Sequence, residues 1–161
     1  MNRLFTLILL CALAGCASYQ LGGPKPAFRK IEIATVRNSS PRVGTHAVLQ
    51  QKLLEAFSMD PRVKLGTGDS VLTTEVTQYH REGLTANPTD AYVYSTYRLT
   101  YVVRCTLTTD SGKKILFKNR DFTASAILQP SGDATSEEAS LGPTILADIA
   151  SQIREAATTA W

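Results

Sequence analysis

Histidine is nearly missing from this chain: His46 and His80 are the only two in 161 residues. Cysteine is scarce as well, with Cys11, Cys16 and Cys105 as the full set. A protein-held metal wants several His, Cys or carboxylate groups at ligand spacing. No such grouping occurs, so neither a metal nor another cofactor is expected. No Gly-x-Ser-x-Gly frame surrounds any serine. Ser70, His80 and Asp90 supply the letters of a triad but nothing that arranges them, and the chain reads as a non-enzyme. Long apolar runs are absent too. The stretch Leu4–Ala14, broken by Thr6, falls well short of the ~20 residues that a membrane-spanning helix needs. Nor is there an excess of one charge: 17 basic side chains face 14 acidic ones, a formal +3. That is too mild to argue for a duplex nucleic-acid partner. There are no internal repeats.

The N-terminus is informative for its length. Asn2 and Arg3 give a short basic start, and Leu4–Ala14 has the length of a signal-peptide core. It ends in Leu13-Ala14-Gly15-Cys16, which resembles the bacterial lipobox. In a lipobox the cysteine thiol is alkylated with diacylglycerol, and a peptidase then cuts before it. The small residues Ala14 and Gly15 suit a tight cleft. The resemblance implies a signal peptide over residues 1–15 and lipidation at Cys16. Stable anchoring takes two lipid signals at ~0.8 kcal/mol per buried methylene, and a triacylated cysteine exceeds that. Ala17 in place of Asp implies sorting to the outer membrane, on its periplasmic face. Loss of Arg3 with the leader takes the formal charge to about +2. Cys11 leaves with the leader and Cys16 is acylated, so Cys105 is the remaining thiol and no intrachain disulfide is expected.

The remainder is long enough for one domain with a two-layer core. Residues 16–29, with Gly22, Gly23, Pro24 and Pro26, read as a tether, and 30–161 as the domain. Lys30–Val36 is a first strand, broken by Asn38-Ser39-Ser40-Pro41. In Thr45–Phe57 the residues Leu49, Leu53, Ala56 and Phe57 recur at helical spacing. Thr45 is the N-cap, and Asp60-Pro61 is the stop. Val71–Tyr79, rich in β-branched residues, is a second strand. The third is the clearest: Tyr97, Leu99, Tyr101, Val103, Cys105 and Leu107 alternate with Arg98, Thr100, Arg104, Thr106 and Thr108. Period two over that length means one buried and one wetted face. On it Cys105 is a small buried hydrophobe. Asp110-Ser111-Gly112 is a hairpin turn, after which Ile115 and Phe117 restart the buried face. The phase then flips to Phe122, Ala124, Ala126 and Leu128, which predicts a bulge within Asn119–Asp121. Ser136-Glu137-Glu138 starts a last helix, its carboxylates near the N-terminal dipole. Gly142-Pro143 kinks or restarts it, and Ile145, Leu146, Ile149, Ala150, Ile153 and Ala157 line one face. The order β-α-β-β-β-α implies an α+β two-layer sandwich, a mostly antiparallel four-stranded sheet with two helices on one face.

That order, with its markers, resembles the LptE family of lipopolysaccharide-assembly lipoproteins. The markers are the lipobox followed by Tyr19-Gln20-Leu21, the Asn38-Ser39-Ser40 turn, and Leu72, Val76 and Tyr79 in the second strand. Tyr97-Arg98-Leu99, Asp110-Ser111-Gly112-Lys113 and the alanine-rich last helix complete the set. The resemblance covers nearly the whole mature chain through order and spacing. It implies a plug in the lumen of the outer-membrane β-barrel LptD, assistance to that barrel's folding, and lipopolysaccharide as the cargo of the pair. The chain departs from the family in one respect. The family's lipid-contact cations lie before the third strand and shortly before the last helix, but Leu84–Thr96 and Asp121–Ile153 contain no Lys or Arg. Those positions are not carried over.

A different set of cations is the candidate contact group for a partner or for lipopolysaccharide. With a three-residue turn at Asp110–Gly112, Arg104 falls opposite Lys118 and Arg98 points the same way, while Lys113, Lys114 and Arg120 extend the group. Such a stripe suits lipid phosphates or acidic groups in a barrel lumen. The plain alternative is a solvated sheet face, partly neutralised by Asp110 and Asp121. For the chain as a whole, the alternative is a free-standing periplasmic lipoprotein that binds a small ligand or a cell-wall component. That would need an apolar cavity, and aromatics at 7% leave no surplus beyond the core.

Overall fold

The computed structural model describes residues 26–87 and 90–159. The signal peptide, Cys16, Tyr19-Gln20-Leu21 and most of the tether lie outside the described residues. The elements run β1 (Lys30–Ile33), β2 (Arg37–Asn38), α1 (Thr45–Ser58), β3 (Lys64–Leu65), β4 (Ser70–Asn87), β5 (Asp90–Thr109), β6 (Lys114–Leu128) and α2 (Ala134–Thr159). They form one six-stranded sheet of order β3-β1-β4-β5-β6, with β2 also on β4. The α+β class holds, but the sheet is mixed rather than four-stranded and mostly antiparallel. β1 runs parallel to both β3 and β4, and β2 parallel to β4, while β4, β5 and β6 are antiparallel. Parallel neighbours need a crossover, and α1 lies in the connection from β1 and β2 to β4. The expected strand Lys30–Val36 is cut short at Ile33, and its continuation pairs separately as Arg37 with Glu75 and Asn38 with Val76.

The core follows the periodicity. Leu99, Tyr101, Val103, Cys105 and Leu107 are all buried and Tyr97 is half-buried, while Arg98 and Arg104 between them are exposed. Leu49, Leu53 and Phe57 of α1 join the same apolar cluster. So do Ile145, Leu146, Ile149, Ala150, Ile153 and Ala157 of α2. The caps differ from expectation. Gly44, at φ 81, caps α1, because Thr45 is already helical and its buried hydroxyl donates to the Arg42 carbonyl at 2.9 Å. α2 begins at Ala134, with the Asp133 carboxylate accepting from the Thr135 amide at 3.0 Å. Pro143 lies inside it without ending it.

Asp60 does more than stop a helix. Its buried carboxylate takes Arg62 through two guanidinium bonds of 2.9 and 2.7 Å, and Arg62 also reaches Thr158 of α2 at 3.0 Å. Arg62 holds the Asp60 carboxyl below its ordinary range. A lowered folded-state value contributes stability above the usual aspartate range of about 3.9, and the contribution is lost as pH falls through the lowered value. Asp60→Asn is therefore expected to lower the urea midpoint at pH 7, with the gap to wild type closing near pH 2.

The largest departure is in β4 and β5. The stretch Leu84–Thr96, which lies between the expected second and third strands, is strand on both sides, and the pair continues to Asn87 and Asp90. β6 ends opposite Tyr97 and β2 opposite Val76, so beyond Gly83 and Tyr97 the two strands pair only with each other as a ribbon. Its register shifts repeatedly after Gly83, which removes the alternation that would reveal it. In β6 the bulge appears where the phase flip placed it, with Asn119 at φ 49 and a shift between the pairs of Cys105 and Leu107. A second shift between Leu107 and Thr108 turns Ile115 outward, 52% exposed, against the expectation that it is buried.

Candidate functional site

The predicted cations do not form one stripe. The turn spans Asp110–Lys113 rather than three residues, with Asp110, Ser111 and Gly112 all at positive φ. The longer turn and the two irregularities each displace β6 by one position, so Arg104 pairs with Asp121 instead of Lys118. Arg104 then makes two bonds to the Asp121 carboxylate, at 2.8 and 3.0 Å. These bonds hold that carboxyl below its ordinary range. On the other side Arg104 registers with Glu75, which takes Arg37 at 3.8 Å and the Ser39 hydroxyl. Arg98 is 3.4 Å from Glu82. Lys113, Lys114 and Lys118 are exposed, and none has an ion pair among the described residues. Arg120 registers with the inward Cys105, and its guanidinium lies 5.1 Å over the Phe122 ring. It lines a cleft with Gln152 and Glu155 of α2, which Asp121, the partner of Arg104, also borders. The group thus divides into neutralised arginines, three open lysines at the β5–β6 hairpin, and one arginine beside α2.

Sequence reasoning missed a second charged cluster. Glu138, expected only as a helix-start carboxylate, has its side chain 7% exposed and receives Arg42 at 3.0 Å and Arg81 at 3.3 Å. The Tyr79 hydroxyl donates to the same carboxylate. Burial, and then the hydrogen bond to Glu138, push the Tyr79 hydroxyl well above its ordinary range. The Tyr79 and Tyr101 rings stand 4.8 Å apart, and the Arg81 guanidinium lies 3.9 Å over the Tyr97 ring. Glu137 takes the helix-start role instead, accepting from the Ser131 and Gly132 amides. The signal for Glu138 is its place on the α2 ridge, in helical step with Gly142, Ile145 and Ile149, where a carboxylate has no solvent. Arg42, Thr45, Tyr101, Glu138 and Leu146 border a cavity of about 210 Å³.

Other candidates stay apart. Ser70 opens β4 and is buried, while His80 is exposed in the middle of the same strand, so the extended backbone separates them. The Cys105 thiol is buried against the Thr74 hydroxyl, and burial pushes it up to about 12, as suits a packing residue. No helix among the described residues is long and apolar enough to cross a membrane.

No curated protein matches the chain. Among solved structures it is similar to a minor lipoprotein from Acinetobacter baumannii, with 19% identity over 80% of this chain and 91% of that one, at a TM-score of 0.54. A hypothetical protein from Chlamydia trachomatis aligns at 9% identity over 81% and 98%, with a TM-score of 0.57. Uncharacterized lipoprotein B from Nitrosomonas europaea aligns at 12% over 86% of each chain, with a TM-score of 0.53. At these identities the likeness is one of fold. The family model described as lipopolysaccharide-assembly, LptE, matches residues 28–157, from just before β1 to the last turns of α2. The chain belongs to the LptE family of lipopolysaccharide-assembly proteins.

Proposed function

We propose that this chain is a non-enzymatic outer-membrane lipoprotein, acylated on Cys16. Its domain seats as a plug in an LptD-like β-barrel and supports lipopolysaccharide assembly and the folding of that barrel. The family match across 28–157 carries this reading, because it takes in every element of the described domain. Lys113, Lys114 and Lys118 are the contact group in this reading, since Arg98 and Arg104 would first have to give up their carboxylates. They meet acidic groups of the barrel wall or phosphates of its cargo. The cavity beside Glu138, at about 210 Å³, is below the ~300 Å³ at which small-molecule sites begin, whereas wider clefts of about 470 and 650 Å³ lie beside Arg120 and beside Phe28.

A photo-crosslinking residue at Lys114 or Thr108 is expected to trap a much larger outer-membrane protein in cells. Gln51, on the polar side of α1, serves as the comparison. Recovery of the lipoprotein alone from every position would overturn the plug. Reversing Lys113, Lys114 and Lys118 to Glu is expected to weaken the isolated complex by about two- to tenfold, since each exposed contact is worth under ~1 kcal/mol. The loss is expected to be larger at low salt than at high salt.

A further inference from the structure

α2 is continuous over Ala134–Thr159 but carries a proline in its interior. Pro143 has no amide for the Ala139 carbonyl, and its ring crowds the preceding turn. Gly142 is buried against Tyr101: a Cβ there would sit 3.5 Å from the tyrosine hydroxyl. After this point the apolar ridge Ile145–Ala157 fixes the helix to the core. Before it, over 134–141, Glu138 is the one buried residue and Leu141 the one large apolar side chain packed against the core, so charge and hydrogen bonds carry most of the hold on about two turns of helix.

The groups that hold it lead to the ribbon. Arg81 pairs with Leu99 in the last registers before β4 and β5 leave the other strands. Its guanidinium rests on Tyr97, where β6 also ends. Tyr97 meets Tyr94 edge to face at 6.0 Å, and Tyr94 covers Gly83 so closely that a Cβ there would lie 2.3 Å from the ring. Glu138, Arg81, Tyr97, Tyr94 and Gly83 therefore form one unbroken series of contacts from the first turns of α2 into the base of the ribbon.

We propose that Glu138 is a latch: the segment 134–141 pivots at Gly142-Pro143, and the Glu138–Arg81–Tyr97 contacts couple its position to the direction of the β4–β5 ribbon. Glu138 acts here as a positioning residue, and the coupling does not depend on the plug reading. Coupling of this kind is reciprocal, which separates it from a merely structural ion pair.

Hydrogen exchange on the full chain in detergent tests it. Glu138→Gln keeps the size of the side chain and removes its charge. The amides of 134–141 and those of 81–86 and 94–98 are both expected to exchange about tenfold faster or more, with 145–158 and 99–107 unchanged. Tyr97→Leu, made on the ribbon side, is expected to accelerate 134–141 in return. Pro143→Ala restores a donor to Ala139, and is expected to slow 134–141 and to blunt the ribbon's response to Glu138→Gln. Acceleration confined to 134–141, acceleration spread over the whole domain, or a Tyr97→Leu variant that leaves the helix unchanged would each overturn the proposal.

Discussion

Val103→Asp is expected to abolish the cooperative fold. Val103 is fully buried at the centre of β5, with Val76 across from it on one side and Phe122 on the other. A carboxylate there has no cation within the core row. Burying a charge without a partner costs several kcal/mol, a large part of the ~5–15 kcal/mol that holds a domain together. Val103→Ala removes only packing and is expected to cost about 2 kcal/mol. Thr100→Asp, on the other face of the same strand beside His80 and Ser125, is expected to stay within about 0.5 kcal/mol of wild type. Urea titration followed by circular dichroism reads all three. An unchanged midpoint for Val103→Asp would mean that the buried row faces the other way.

Cys16→Ser is expected to remove radioactive palmitate label from the protein and to keep the domain out of the outer-membrane fraction. A serine hydroxyl does not take the thioether-linked lipid, and the peptidase step that follows alkylation is lost with it. The effect is close to all-or-none, because each methylene withdrawn from the bilayer gives up ~0.8 kcal/mol and a full set of acyl chains is withdrawn. Undiminished label on the variant would sink the lipobox reading, whatever the fold of the domain.

The parts of the fold that were legible in the sequence share one property: their side-chain period is set by a single element. The buried row of β5, the ridge Leu49–Leu53–Phe57 and the ridge of α2 depend only on the strand or helix that carries them. Pairing direction does not. A strand alternates in the same way whether its neighbour is parallel or antiparallel, so β1 gave no warning that it runs alongside β4. β2 and β3, of two residues each, are too short to show any period. The candidate site suffered most, because it depended on register. One more turn residue and two bulges moved Arg104 from a lysine to Asp121, and that turned a presumed phosphate contact into an internal ion pair. Glu138 was visible as a residue but not as a site, since its partners Arg42 and Arg81 come from distant segments.

The parallel pairing of β1 with β4 also sets a direction of reach. Ile31 sits beside Ser70, so the proposed lipid on Cys16 would moor the chain near the foot of β4, since the residues from Cys16 to Pro26 can span at most about 35 Å. From that foot β4 runs 18 residues to Asn87, roughly 60 Å at the rise of a strand, about twice the ~30 Å hydrocarbon thickness of a bilayer. The ribbon end is therefore the pole that a lipid mooring leaves unrestrained. With Cys16 acylated as proposed, a longer segment before Pro26 would free the foot of the domain, while a shorter ribbon would change how far the molecule extends from the bilayer.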